Sequence, residues 1–178
     1  MIAELKRLAH AKPASTGQLL VIFAALFTLG GAWYLQVFAG LFPCPLCLEQ
    51  RIPWYIAFGI AAAALIIPYL APHATGWRLW ALLPNAGLML WGAYKAGEHV
   101  GVEKGWWGSS CTLPSSDGAP LSIEEMMAQG EGDNTVPCDA IQWEMFGITL
   151  AQLNLVICLT LAATLLFLFF KALNDREG

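Results

Sequence analysis

Residues 18–42 read QLLVIFAALFTLGGAWYLQVFAGLF, and this run decides the fold. Gln36 is the only strongly polar residue inside it, and none is ionisable. About 20 apolar residues in a helix cross the hydrocarbon core of a bilayer, so the run is long enough. Three further runs of the same character follow, at about 52–70, 77–96 and 148–170, with no ionisable residue deep inside any of them. In lipid every backbone polar group must be satisfied by the protein itself, which leaves helices or a closed barrel. Barrel strands alternate apolar and polar residues; these runs are continuous, so helices are expected.

The composition agrees. Hydrophobic residues make up 57% of the 178 residues and charged ones 12%, with a mean hydropathy of +0.57. A soluble domain carries about 25% charged residues. The net charge of −4 lacks the basic stripe that nucleic-acid binding needs. The expected fold is all-α: one polytopic domain over residues 1–178, a bundle of four transmembrane helices with a long extracytoplasmic loop. Lys6, Arg7 and Lys12 followed by "GGA" ending at Ala32 look like a signal peptide. The apolar run continues past Ala32 through WYLQVFAGLF, so a membrane span is the better reading.

Positive charges orient membrane helices. With a cytoplasmic N-terminus, Lys6, Arg7, Lys12, Arg78, Lys171 and Arg176 lie inside and Arg51, Lys95 and Lys104 outside. Both termini are therefore expected inside, with loops at about 43–51 and 97–147 outside. The longer loop is acidic, holding nine carboxylates. Within it, Ser122 with Glu125 three residues on forms a capping box, and Gly130 suits a helix end. A short surface helix is expected there. Trp106 and Trp107 read as interfacial anchors, Trp143 and Phe146 as anchors at the entry to the last helix, and Pro84 as a kink in the third.

Between the first two runs stands PCPLCLEQR, residues 43–51. Cys44 and Cys47 lie there, Cys111 and Cys138 in the long loop, and Cys158 inside the last run, where it reads as a small apolar core residue. Four outer cysteines allow three pairings. A disulfide across Cys111 and Cys138 would brace the long loop by about 3 kcal/mol. Cys44 with Cys47 closes a loop too short to stabilise much. Zinc would want a second close cysteine pair, and attached haem a histidine where Leu48 stands, so no metal is expected.

A redox role explains more of the pattern. Pro45 suits the first turn of a helix, which puts Cys47 near a helix N-terminus, where the dipole and free N–H groups favour a thiolate. Arg51 follows one turn along the same face. A fixed cation at the hydrocarbon edge is expensive unless it has a partner.

Together, CPLCLEQR, the four-run layout, the second cysteine pair and CDAIQWEMFG (138–147) before the last run resemble the DsbB family of bacterial inner-membrane proteins. The resemblance is weakest over about 113–137. It implies a protein-disulfide oxidoreductase that reoxidises a periplasmic DsbA-like dithiol oxidase and passes two electrons to a membrane quinone, ubiquinone or menaquinone, and so into the respiratory chain. Carried over by motif, Cys111 would form the mixed disulfide with the partner and Cys138 would exchange with Cys44. Cys47 would face the quinone beside Arg51. The segment GEHVG (97–101) adds His99 and Glu98 as cofactor-side residues.

The sink must be strong. A DsbA-type oxidant sits near about −120 mV and ordinary structural disulfides below about −300 mV, a gap worth about 8 kcal/mol for two electrons. Two other readings remain open at this point. One is a four-helix scaffold braced by inert disulfides. The other is a quinone-linked enzyme resembling vitamin K epoxide reductase, which the arginine after the Cys-x-x-Cys pair fits less well.

Overall fold

A computed structural model describes residues 2–74, 76–108 and 136–177. Its helices are α1 (Ile2–Phe38), α2 (Pro45–Leu70), α3 (Trp77–Trp80), α4 (Leu82–Glu103) and α5 (Leu150–Glu177), with a 3-10 turn at Pro72–Ala74 and a two-stranded hairpin before α5. Cys111 and the expected helix at Ser122–Gly130 lie outside the described residues.

Three helices are long and apolar enough to cross a membrane, over Pro13–Phe38, Pro45–Leu70 and Leu150–Asp175. The expected third crossing differs. Its apolar run is divided into α3 and α4 at Ala81, three residues before Pro84. Proline has no N–H to give and its ring crowds the carbonyl four residues back, here Trp80, so the first turn of α4 restarts the ladder. α4 then runs on to Glu103 and carries Asn85, Lys95, Glu98 and His99 with it. Residues expected in a loop from 97 therefore begin as helix.

α1 packs on α2 and α5, and α4 packs on the same two helices, so the four long helices close a ring. The seams are built from small side chains: Ala57, Ala61 and Ala64 on α2, Ala86 and Ala93 on α4, Cys158, Ala162 and Ala172 on α5, all buried. Small residues let helix backbones approach closely, the main source of helix association in lipid. At Gly92 an added Cβ would sit 3.1 Å from Cys158 Sγ. Many of the large apolar side chains point outward, Phe27 at 72% and Phe23 at 67% exposure, while Trp54, Leu82, Met89 and Leu165 fill the centre. Only 11% of the most apolar window of α1 is buried. In water such a surface would associate at once; against lipid tails it needs no cover.

At one end of the ring a polar knot ties α1 to α3 and α4. Gln18 is fully buried, donates to the Arg78 carbonyl at 3.0 Å, and accepts from Asn85 Nδ2 at 2.8 Å. The opposite end carries the cysteines.

Both chain turns there use glycine at positive φ. Gly40 (φ 67) lets the Leu41 N–H reach back to the Leu35 carbonyl at 3.1 Å and ends α1. Gly105 (φ 68) closes α4 in a Schellman motif, with Trp106 N–H on Gly101 O at 2.8 Å and Gly105 N–H on Val102 O at 3.0 Å. This turn folds Trp107 back over Gly101, where an added Cβ would collide with the indole ring. Gly101→Ala is expected to lose about 1–3 kcal/mol through overpacking and to expel Trp107. A lowered melting temperature with a red-shifted tryptophan emission is the result to look for.

The hairpin pairs Glu144 with Thr149 and Met145 with Ile148. Its two central residues, Phe146 (φ 55) and Gly147 (φ 79), both have positive φ, as a type I′ turn requires. Phe146 sits at the tip, 94% exposed, consistent with an anchoring side chain.

Candidate redox site

Pro45 occupies the first helical position of α2 and Cys44 is the N-cap, its Sγ accepting from the Cys47 N–H at 3.2 Å. The capping role falls to a sulfur where Ser, Thr, Asp or Asn usually stands. Cys44 and Cys47 are both free thiols with sulfurs 2.7 Å apart. Burial and the hydrogen bond to Cys47 act on Cys44 together. The shared hydrogen bond comes first, and its thiol is held far above the usual thiol range, so Cys44 keeps its proton at neutral pH.

Cys138 belongs to a disulfide and is buried with Cys44, Leu46 and Val102 in a small cluster against which Cys47 packs. The structure thus brings Cys138, 94 positions along the chain from Cys44, to the mouth of the Cys-x-x-Cys turn. Among the five cysteines, Cys44, Cys47 and Cys158 are free. Cys111 is outside the described residues.

His99 joins these pieces. Its Nε2 lies 3.2 Å from the Cys138 carbonyl oxygen and 3.7 Å from Cys44 Sγ. Burial holds the imidazole below the ordinary histidine range, with the Glu103 carboxylate pulling the other way. Glu103 Oε1 is 3.8 Å from His99 Nε2, and its other oxygen accepts from the Thr149 hydroxyl at 2.7 Å. Thr149 also caps α5: its Oγ1 accepts from Gln152 N at 3.3 Å and Gln152 Oε1 accepts from Thr149 N at 3.1 Å, a reciprocal capping box. Thr149→Ala is expected to lose the cap, about 1 kcal/mol, and to leave the buried Glu103 carboxylate short of a donor. Thermal unfolding should show a loss larger than Thr149→Ser, which keeps both bonds.

Arg51 stands one turn beyond Cys47. Its Nη1 donates to Gln36 Oε1 at 2.9 Å and its guanidinium lies over the Trp33 ring at 5.6 Å. Its Nε is buried without a hydrogen-bond partner. Cys44, Cys47, Arg51, His99 and Glu103 all line one cavity of about 380 Å3, whose remaining wall is mostly apolar and comes from α1, α5, Trp54 of α2 and the segments leading into α2 and the hairpin, Trp143 among them.

Glu98 goes elsewhere. Its carboxylate pairs with Lys95 at 3.0 Å, and Lys95 also reaches Glu49 at 2.9 Å. Glu98 is not among the residues lining that cavity. Being adjacent to His99 in sequence puts it roughly a quarter-turn away on the helix, whereas Glu103, four residues on, shares the face of His99. That spacing was the available signal for Glu103.

Cys44, Cys47 and His99 also place one potential ligand atom each within 4.8 Å of one another.

Comparison with known proteins gives a direct answer. The family profile for "Disulfide bond formation protein DsbB" matches residues 15–168. The chain belongs to the DsbB family. Relatives named "Disulfide bond formation protein B" include one from Nitrosospira multiformis, 28% identical over 174 residues, covering 88% of this chain and 94% of the relative. One from Aromatoleum aromaticum is 30% identical over 177 residues, with 88% and 94% covered. One from Xanthomonas oryzae pv. oryzae is 31% identical over 166 residues, with 86% and 89% covered. No solved structure matches the chain. Membership in the DsbB family makes this chain a disulfide-forming oxidoreductase. With its three apolar helices, it is an integral inner-membrane protein.

Proposed function

We propose that this DsbB-family protein reoxidises a DsbA-like periplasmic dithiol oxidase and delivers the two electrons to a membrane quinone. The observation that carries the reading is the cavity in which Cys47, Arg51 and His99 meet between apolar helices. The cavity fits a quinone head. Its wall is largely apolar, and Arg51 offers a buried Nε–H with no partner, the kind of donor a carbonyl oxygen satisfies. Arg51 would hold the head with Cys47 against it, and His99 would stand beside it in the cavity wall. When bound, a quinone supplies an acceptor for two electrons and two protons.

The protein's share is thiol exchange. A partner thiolate attacks Cys111 of the Cys111–Cys138 disulfide; a mixed disulfide forms and Cys138 leaves as thiolate. Cys138 attacks Cys44 of an oxidised Cys44–Cys47 pair, and Cys47 leaves as thiolate. The partner's second thiolate resolves the mixed disulfide, releasing Cys111. Cys111 then attacks Cys138, restoring the outer disulfide and freeing Cys44. The partner has lost two electrons, and the inner pair holds them. The cluster of Cys44 with Cys138 supports this order. α4, packed between α2 and α5, would be the fourth crossing, with both termini cytoplasmic and both cysteine pairs periplasmic.

Purified protein in lipid should reoxidise a reduced DsbA-like partner continuously when quinone is supplied, and without it by no more than the electron pairs its own two disulfides can take. Continuous reoxidation in the absence of quinone would overturn the reading.

A further inference from the structure

A hydrogen-bonded chain runs through the bundle from α2 to the cysteines. Trp54 Nε1 donates to Asn154 Oδ1 at 3.0 Å. Asn154 Nδ2 donates to Gln50 Oε1 at 2.7 Å. Gln50 Nε2 faces His99 Nδ1 at 2.8 Å. His99 Nε2 faces the Cys138 carbonyl and Cys44 Sγ. Trp54, Gln50 and His99 are buried and Asn154 is half-buried, so these groups depend mainly on one another for partners.

The sense of this chain is fixed from one end. An indole nitrogen only donates. Asn154 must therefore present its oxygen to Trp54 and its NH2 to Gln50. Gln50 must then present its oxygen to Asn154 and its NH2 to His99. His99 Nδ1 must accept, which leaves the imidazole proton on Nε2. The carbonyl of Cys138, an acceptor only, agrees from the other end.

We infer that Gln50 and Asn154 are positioning residues: with Trp54 they lock His99 as the Nε2–H tautomer, aiming one N–H between the Cys138 carbonyl and the Cys44 sulfur. The inference rests on the exchange sequence proposed above. In its last step a new S–S bond forms from Cys111 to Cys138, the Cys138–Cys44 bond breaks, and the electron pair leaves on Cys44. An N–H aimed at that sulfur stabilises the charge as it forms, until a proton arrives from solvent. The same N–H holds the Cys138 backbone beside Cys44, so the two sulfurs stay within reach. The locked tautomer also takes His99 out of contention as a metal ligand, since its Nε2 lone pair is occupied by the proton.

The test uses full-length protein with 15N-labelled histidine in lipid nanodiscs. The chain has three histidines, and the His99 signals are assigned by their loss in His99→Gln. Wild type should show a proton on Nε2 and a bare Nδ1. Gln50→Glu, nearly isosteric and accepting where Gln50 donates, should place a proton on Nδ1. Asn154→Leu, which cuts the chain two residues away from His99, should give both tautomers. In single turnover with a reduced DsbA-like partner, followed by maleimide trapping, transfer to the Cys44–Cys47 pair should slow by about ten- to a hundredfold in Gln50→Glu, the range of a charge-assisted hydrogen bond, and by about tenfold in Asn154→Leu. A wild-type proton on Nδ1 overturns the inference. So do slowed variants whose tautomer is unchanged, since that would be a packing effect alone. The nitrogen spectra need neither partner nor quinone, so failure of the proposed function would show separately, as a wild type that does not turn over.

Discussion

Cys47→Ser should stop turnover, lowering the rate of partner reoxidation by more than about 10³-fold, as loss of a nucleophile does elsewhere. A serine hydroxyl has the volume and can keep a hydrogen bond to Cys44 Sγ, but it cannot become an anion in this setting or join a disulfide. Its position is what makes the effect large. Cys47 is at the third residue of α2, with its N–H on the Cys44 sulfur, and it shares a cavity with Arg51. The helix N-terminus, the guanidinium and the high proton affinity of Cys44 all assign the negative charge to Cys47. A visible absorption band that appears on adding quinone to the reduced protein should vanish in Cys47→Ser. Unimpaired turnover in that variant would overturn the role assigned to Cys47.

The second large effect is expected at Arg51. Arg51→Met keeps the length of the side chain and removes the charge and all five donors. The loss should be about 10²-fold or more in kcat/KM for quinone, comparable to removing a preorganised donor from a developing oxyanion. Arg51→Lys should recover only part of it, because an ammonium on a flexible stem cannot reproduce the planar fork. The fork is already half used: Nη1 holds Gln36 of α1 while Nε stays unmatched. Single-turnover exchange between the loop cysteines and Cys44 should be far less affected, since Cys44 and Cys138 meet His99 and not Arg51. If both steps fell equally, Arg51 would be holding the bundle together and not the acceptor.

Much of this was legible in the sequence. Continuous apolar runs announce membrane helices because lipid leaves the backbone no other choice, and three of them appear where expected. The Cys-x-x-Cys pair at a helix start with arginine one turn on was readable from spacing alone. The split at Ala81 was half readable: Pro84 advertised a disturbance but not its place. The tail of α4 was hidden because Lys95, Glu98 and His99 resemble loop residues until their partners are known. Glu49 neutralises Lys95, and Cys138 and Gln50 engage His99. The hairpin was invisible because its strands are two residues each and its turn puts a phenylalanine at positive φ. Least legible was the chain from Trp54 to His99. It joins residues 104 positions apart, Gln50 and Asn154, and single amides on apolar helices carry no pattern to read.

The cavity between α1 and α5 has a consequence for how this protein should be measured. Its lining residues Phe27 and Leu153 are also exposed on the lateral face of the bundle, so under the proposed function a quinone would approach through the surrounding apolar phase. A molecule entering that way is counted by its mole fraction among lipids. An affinity quoted per litre of buffer would change with the amount of detergent or lipid in the tube while the site itself stayed the same. Dilution of the apolar phase at fixed total quinone should therefore act as a competitive inhibitor with no chemical identity of its own.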